Sequence, residues 1–125
     1  MPPALPKGKG FVVAGADTAS FLKAKLTALG LTPAEYNEFI VYWLPRMNKN
    51  KFNQVYFAGR DYTDYARLEI SPKADSVLRV FMLFQAIESC EPMEPQKLTV
   101  PKRSGFTVVE WGGAEVTKNR QNPAE

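Results

Sequence analysis

The core of the predicted fold is the stretch SVLRVFMLFQA, residues 76–86, which is apolar on both faces of an extended chain. One face carries Leu78, Val80, Met82 and Phe84, and the other carries Val77, Phe81 and Leu83. Side chains alternate between the two faces of a strand, so a strand of this composition is usually covered on both sides. The stretch therefore predicts a central strand in a sheet that packs against other elements.

Shorter segments complete the predicted sheet. They are GFVVAG (10–15), QVYF (54–57), ARLEIS (66–71), KLTV (97–100) and FTVVEW (106–111). ARLEIS alternates between apolar and polar residues, and the turn sequence PKAD joins it to the central strand, which predicts an antiparallel hairpin. Matching the inward faces of this hairpin places Glu69 opposite Arg79 as a cross-strand ion pair. The last strand is expected to stop at Gly112-Gly113, with Glu110 directed outward.

Two helices are predicted before most of these strands. Between residues 19 and 29, leucines recur at helical spacing, with Asp17 or Thr18 available as the N-cap. Gly30 follows, at a position where a left-handed residue commonly ends a helix. This segment is the first predicted helix.

The second predicted helix has complete start signals. Thr32 is the expected N-cap, Pro33 the first helical residue, and Glu35 completes a capping box. Its apolar face comprises Tyr36, Phe39, Ile40 and Trp43. Because proline disfavours helical geometry in the residue before it, Pro45 predicts that the helix ends at Leu44.

These elements predict an α+β fold, with two N-terminal helices packed on a mostly antiparallel sheet of four to five strands. Residues 1–9 are predicted to be a flexible Pro/Lys-rich tail, and residues 10–113 a single α+β domain. Residues 114–125 are predicted to be a polar C-terminal tail. The whole chain has 125 residues, enough to bury one hydrophobic core.

Composition restricts the chemistry that the chain can carry. It has no histidine and a single cysteine, Cys90, which excludes Ser-His-Asp and Cys-His catalysis and zinc sites built from histidine or several cysteines. The formal charge is +3 and the lysines are scattered, so no specific binding of nucleic acid is expected. No apolar run is long enough for a transmembrane segment. We predict no catalytic residue, cofactor or metal, and a protein as the partner.

Two clusters are weak candidates for a binding site. The segment GRDYTDYAR, residues 59–67, holds Asp61, Tyr62, Asp64 and Tyr65, which could bind a cation or a sugar; a capped turn between strands is the favoured interpretation. Trp43 and Arg46 could form an exposed recognition patch, since Trp and Arg are favoured at interfaces. The favoured alternative is that Trp43 completes the apolar face of the second helix.

An enzymatic alternative depends on Glu110. A carboxylate-dependent glycan-active or metal-assisted hydrolase would pair Glu110 with Asp61 or Asp64 across a cleft. An outward-facing glutamate on an ordinary strand explains the same residue more simply, so the non-enzymatic interpretation is preferred.

Several long strings extend this interpretation by resemblance. GFVVAGADTASFLKAKLTALGL, EFIVYWLPRM, LEISPKADSVLRVFM and GFTVVEWGG resemble, in this order, a large family of uncharacterised bacterial proteins. The resemblance implies a C-terminal module behind a β-rich region in predicted secreted or cell-envelope proteins. It implies an extracellular or cell-surface location if the chain is an excised module, and a cytoplasmic one if Met1 is the native start.

The sequence as a whole predicts a non-enzymatic protein-interaction or structural module, part of a larger surface protein or assembly. Its oligomeric state stays open at this stage.

Overall fold

Two helices and a four-stranded sheet make up the fold, which is α+β as predicted. The computed structural model describes residues 5–6, 8–58, 76–98, 105 and 107–116. In chain order the elements are β1 (Phe11–Ala14), a short 3-10 helix (Gly15–Asp17), α1 (Thr18–Ala28), α2 (Pro33–Met47), β2 (Phe52–Phe57), β3 (Ser76–Ile87) and β4 (Thr107–Glu115).

The sheet has the strand order β1-β2-β3-β4 and is mostly antiparallel, as predicted. β1 pairs antiparallel with β2, and β2 pairs antiparallel with β3. β4 lies parallel to β3, in a register that places Glu110 beside Arg79. The strand predicted from GFVVAG is present and precedes both helices, so the helices are not the first elements of the chain.

β3 is an inner strand of the sheet, as its sequence predicts. Its alternate residues Leu78, Val80, Met82 and Phe84 are buried. They share one core with Val13 and Val55 of the neighbouring strands and with residues of both helices. The helical members of this core are Leu22, Leu26, Phe39, Ile40, Trp43 and Met47. Leu83, which points to the opposite face of the sheet, is also buried.

The ends of α1 follow the prediction only in part. Gly30 has a φ of 99°, and Leu31 donates to the carbonyl of Leu26, which is the pattern of a glycine-terminated helix. At the other end Asp17 occupies the N-cap position, but its side chain makes no capping hydrogen bond. Thr18 lies within the helix, and its hydroxyl donates to the carbonyl of Ala14.

The start of α2 is confirmed in detail, whereas its predicted end is wrong. The Thr32 hydroxyl accepts from the Glu35 amide, and the Glu35 carboxylate accepts from the Thr32 amide at 2.9 Å. The helix continues through Pro45 to Met47. Pro45 faces solvent and Met47 is fully buried, so packing of the last turn outweighs the hydrogen bond that proline cannot donate.

β4 also runs further than predicted. It passes through Gly112 and Gly113 and ends at Glu115. A Cβ at Gly113 would lie 2.6 Å from the Met82 carbonyl oxygen and 2.8 Å from Cζ2 of Trp43. The glycine is needed for the close approach of the Trp43 ring rather than for ending the strand.

Some predicted segments fall outside the described residues. These are the strand at 66–71, which holds Glu69, the predicted partner of Arg79, and the polar segment 59–67. Of the predicted strand 97–100, residues 97 and 98 are not in a strand, and the other two lie outside the described part. No helix among the described residues has the length and apolar character needed to cross a membrane.

Candidate functional site

An open groove runs between α2 and β4 and has a volume of about 570 Å³. It is lined by Asn37, Glu38, Val41, Tyr42, Arg46 and Trp111. Five of these residues belong to α2, and Trp111 is the contribution of β4. The groove therefore lies where the outer side of a helix meets the last strand of the sheet.

The helical wall of the groove follows from the periodicity of α2. Glu38, Tyr42 and Arg46 recur every four residues and form one stripe along the helix. The buried residues Phe39 and Trp43 lie on the neighbouring face, which packs into the core. Since the helix is fixed by its buried face, its outer stripe is held in place beside β4.

The groove exposes apolar surface. Val41 is 75% exposed and Tyr42 is 46% exposed, and both are large hydrophobic residues. The Tyr42 ring lies 5.9 Å from Trp111, centroid to centroid. Trp111 in turn contacts the buried Phe39 ring edge-to-face at 5.2 Å. The exposed part of the groove is thus continuous with the aromatic core.

Charges of opposite sign lie at the two ends of the groove. The Arg46 guanidinium lies 4.1 Å from the centre of the Tyr42 ring, and it donates to the Tyr42 carbonyl oxygen at 2.6 Å. This cation–π contact holds the positive charge at one end. Glu38 lines the groove one helical turn before Tyr42 and provides the negative end.

A smaller cavity of about 140 Å³ extends the groove toward the start of α2. Its lining residues are Ala34, Glu35, Glu38, Val109 and Trp111. Glu38 and Trp111 line both cavities, so the two form one continuous surface along α2 and β4.

The predicted binding residues are distributed unevenly. Arg46 lines the groove. Trp43 is buried in the core, as the alternative interpretation of that residue predicts. Its indole N–H is buried and has no acceptor among the described residues. The remaining candidates lie outside the described residues: Asp61, Tyr62, Asp64 and Tyr65.

Five of the six lining residues were not predicted as site residues: Asn37, Glu38, Val41, Tyr42 and Trp111. Val41 could have been found, because it is an apolar residue outside the apolar face of the second helix. Tyr42 and Trp111 become site residues only when α2 and β4 are placed side by side.

Glu110, the candidate acid of the enzymatic alternative, is held in an ion pair. Its Oε1 accepts from Nε of Arg79 at 2.9 Å, across the parallel pair of β3 and β4. Arg79 therefore binds the carboxylate of Glu110. The predicted pair of Arg79 with Glu69 lies outside the described residues. Within the described ranges, no group of three Asp, Glu or Cys side chains is placed to hold a metal ion.

Comparison of the chain with protein-family models, with characterised proteins and with solved structures finds no match.

Proposed function

We propose that this chain is a non-enzymatic protein-interaction or structural module that contacts another polypeptide through the groove between α2 and β4. The exposure of Val41 and Tyr42 beside Trp111 carries the proposal. Tyr, Trp and Arg are the residues most enriched at the energetic centres of protein interfaces, and the groove holds one of each.

The contacts that position the groove side chains support the same function. The aromatic floor of the groove continues into the core through Phe39, and Arg46 is already oriented by Tyr42. A surface that is ordered before binding loses little conformational entropy when a partner arrives. The groove is therefore suited to binding a polypeptide without rearrangement of the fold.

The ion pair of Glu110 with Arg79 favours the non-enzymatic interpretation over the hydrolase, because it commits the candidate acid to a neighbouring side chain. The wider setting that we propose, a surface protein or assembly, is supported by the resemblance of the sequence strings. Specific turnover of a glycan, peptide or ester by the purified chain would contradict the proposal.

Site-specific photocrosslinking in cells tests the proposal directly. A photoreactive amino acid at position 41 should give a discrete crosslink to a protein, because Val41 is the most exposed large hydrophobic residue of the groove. The same reagent at Lys23, which is exposed on α1, is the matched control and should not give this product. The substitution Arg46→Glu should reduce the product from position 41.

Either of two results would contradict the groove as an interaction surface. One is the absence of any protein crosslink from position 41. The other is an identical set of crosslinks from positions 41 and 23.

A further inference from the structure

We propose that the partner bound by the groove is a second copy of this chain, joined across a two-fold axis. In this arrangement two β4 strands pair antiparallel, edge to edge, and two α2 helices lie side by side above the joint. The inference rests on the proposed function, because it names the partner of the same surface.

The outer edge of β4 has hydrogen-bonding groups suited to this pairing. Val116 donates to the Phe84 carbonyl at 2.7 Å, so this residue directs its backbone toward β3. Backbone direction alternates along a strand, and the regular register with β3 places Glu110, Gly112 and Ala114 in the same orientation. The outward-directed residues are Val109, Trp111 and Gly113. No strand among the described residues pairs with this edge, which makes it a template for another strand.

The side chains of β4 are compatible with pairing to an identical strand. If Trp111 lies opposite its own copy, Val109 faces Gly113 and Glu110 faces Gly112 of the second chain. No two like charges then face each other, and Val109 and Glu110 each lie opposite a glycine. A strand of nine residues is long enough for several backbone hydrogen bonds.

The charges of α2 are complementary to themselves in the same arrangement. Glu38 lies four residues before Tyr42, and Arg46 lies four residues after it. A two-fold axis beside Tyr42 reverses the second helix, so each Glu38 meets the Arg46 of the other copy. A parallel arrangement would bring like charges together instead. The strand pair is centred on Trp111 and the helix pair on Tyr42. Their rings lie only 5.9 Å apart, so one two-fold axis can pass close to both residues.

Charge reversal with the full chain tests the proposal. Sedimentation velocity over a wide concentration range should show a monomer–dimer equilibrium for the native chain. Glu38→Arg and Arg46→Glu should each weaken dimerisation roughly tenfold or more, because each turns two attractive contacts into repulsive ones. An equimolar mixture of the two variants should restore the dimer as a heterodimer, since one chain is then positive at both positions and the other negative.

The control variant is Lys23→Glu, which reverses an exposed charge on α1 and should leave dimerisation unchanged. Amide hydrogen exchange provides a second readout that does not depend on substitution. The amides of Val109, Trp111 and Gly113 should become protected as concentration rises, whereas those of Glu110 and Gly112 should be protected throughout by β3.

A chain that remains monomeric at every concentration would overturn the second-copy inference. So would a dimer that is insensitive to both charge reversals and leaves the outward amides unprotected. A monomeric chain whose position 41 crosslinks to a different protein overturns this inference alone. Failure of both the dimer and the crosslink removes the proposed function as well.

Discussion

The two edge strands of the sheet differ in length and in how far other described residues cover them. β1 has only four residues. The described part of the connection after β3 folds back against the residues that precede β1. Gly10 donates to the Glu94 carbonyl, and Glu94 donates to the Gly8 carbonyl, each at 2.9 Å. The Gln96 side chain bonds both the amide and the carbonyl of Phe57, where the pairing of β1 with β2 has ended.

β4, in contrast, is long and has no such cover among the described residues. It has nine residues, and the helical side chains beside it are the exposed Val41 and Tyr42. On the β1 side the corresponding helical residue is Lys25 of α1, whose Nζ lies 4.4 Å from the centre of the Phe11 ring. Short, covered edges resist association with other chains, and long open ones permit it. The proposed pairing of two chains uses the edge that lacks this cover among the described residues.

The largest expected effect concerns the floor of the groove. Phe39→Ala removes a fully buried ring that joins α2 to Trp111, and should lower the free energy of unfolding by about 3–5 kcal/mol. Tyr42→Ala, on the exposed wall, is the control and should cost about 1 kcal/mol or less. Urea denaturation followed by circular dichroism measures both. Equal losses would show that the wall of the groove is part of the core.

The two adjacent glycines of β4 provide the next comparison. Gly113→Ala should lower the free energy of unfolding by about 1–3 kcal/mol, because its methyl group overlaps the Met82 carbonyl and the Trp43 ring. At Gly112 a methyl group would meet the Phe81 ring at an ordinary 3.7 Å, so Gly112→Ala should be close to neutral. The same denaturation experiment distinguishes them. Similar values for both variants would contradict the tight contact at Gly113.

Removing the cover of the β1 side should have a smaller effect. Gln96→Ala leaves the Phe57 amide and carbonyl without their side-chain partner and should cost about 1–2 kcal/mol. It should also speed hydrogen exchange at the Phe57 amide. Gln54→Ala, on the same strand as Phe57, is the control, because the Gln54 side chain makes no hydrogen bond among the described residues. Unchanged exchange at Phe57 would mean that Gln96 does not protect this edge.

The smallest expected effect is the coupling between Arg79 and Glu110. A double-mutant cycle with Arg79→Met and Glu110→Gln should give about 0.2–1 kcal/mol, because the pair is only partly buried. The coupling should decrease when the salt concentration is raised, since salt screens exposed charges. A coupling that is independent of salt would indicate a contact of another kind.

The features that could be predicted from the sequence are local ones. The capping box of α2 involves Thr32 and Glu35, three residues apart, so its signal is contained within one helical turn. The central strand was recognisable for a similar reason, because burial on both faces leaves its pattern in consecutive residues.

The features that were missed depend on contacts distant in sequence. The helix continues beyond Pro45 because Met47 packs into a core that includes strand residues. β4 continues through Gly113 because Trp43 approaches it from α2. The groove combines α2 with Trp111, which is far away in the sequence, so neither segment alone shows the site.

The parallel pairing of β3 and β4 has a consequence for the order in which the chain folds. β4 can join β3 only after the connection formed by residues 88–106 has returned to the start of β3, and loop closure of this kind is slow compared with forming a helix. Until then Val80 lacks its neighbour Trp111, and the Trp43 ring lacks its neighbour Gly113. Because β4 follows the other described strands in the chain, this apolar surface is covered only after the rest of the described sheet has been synthesised.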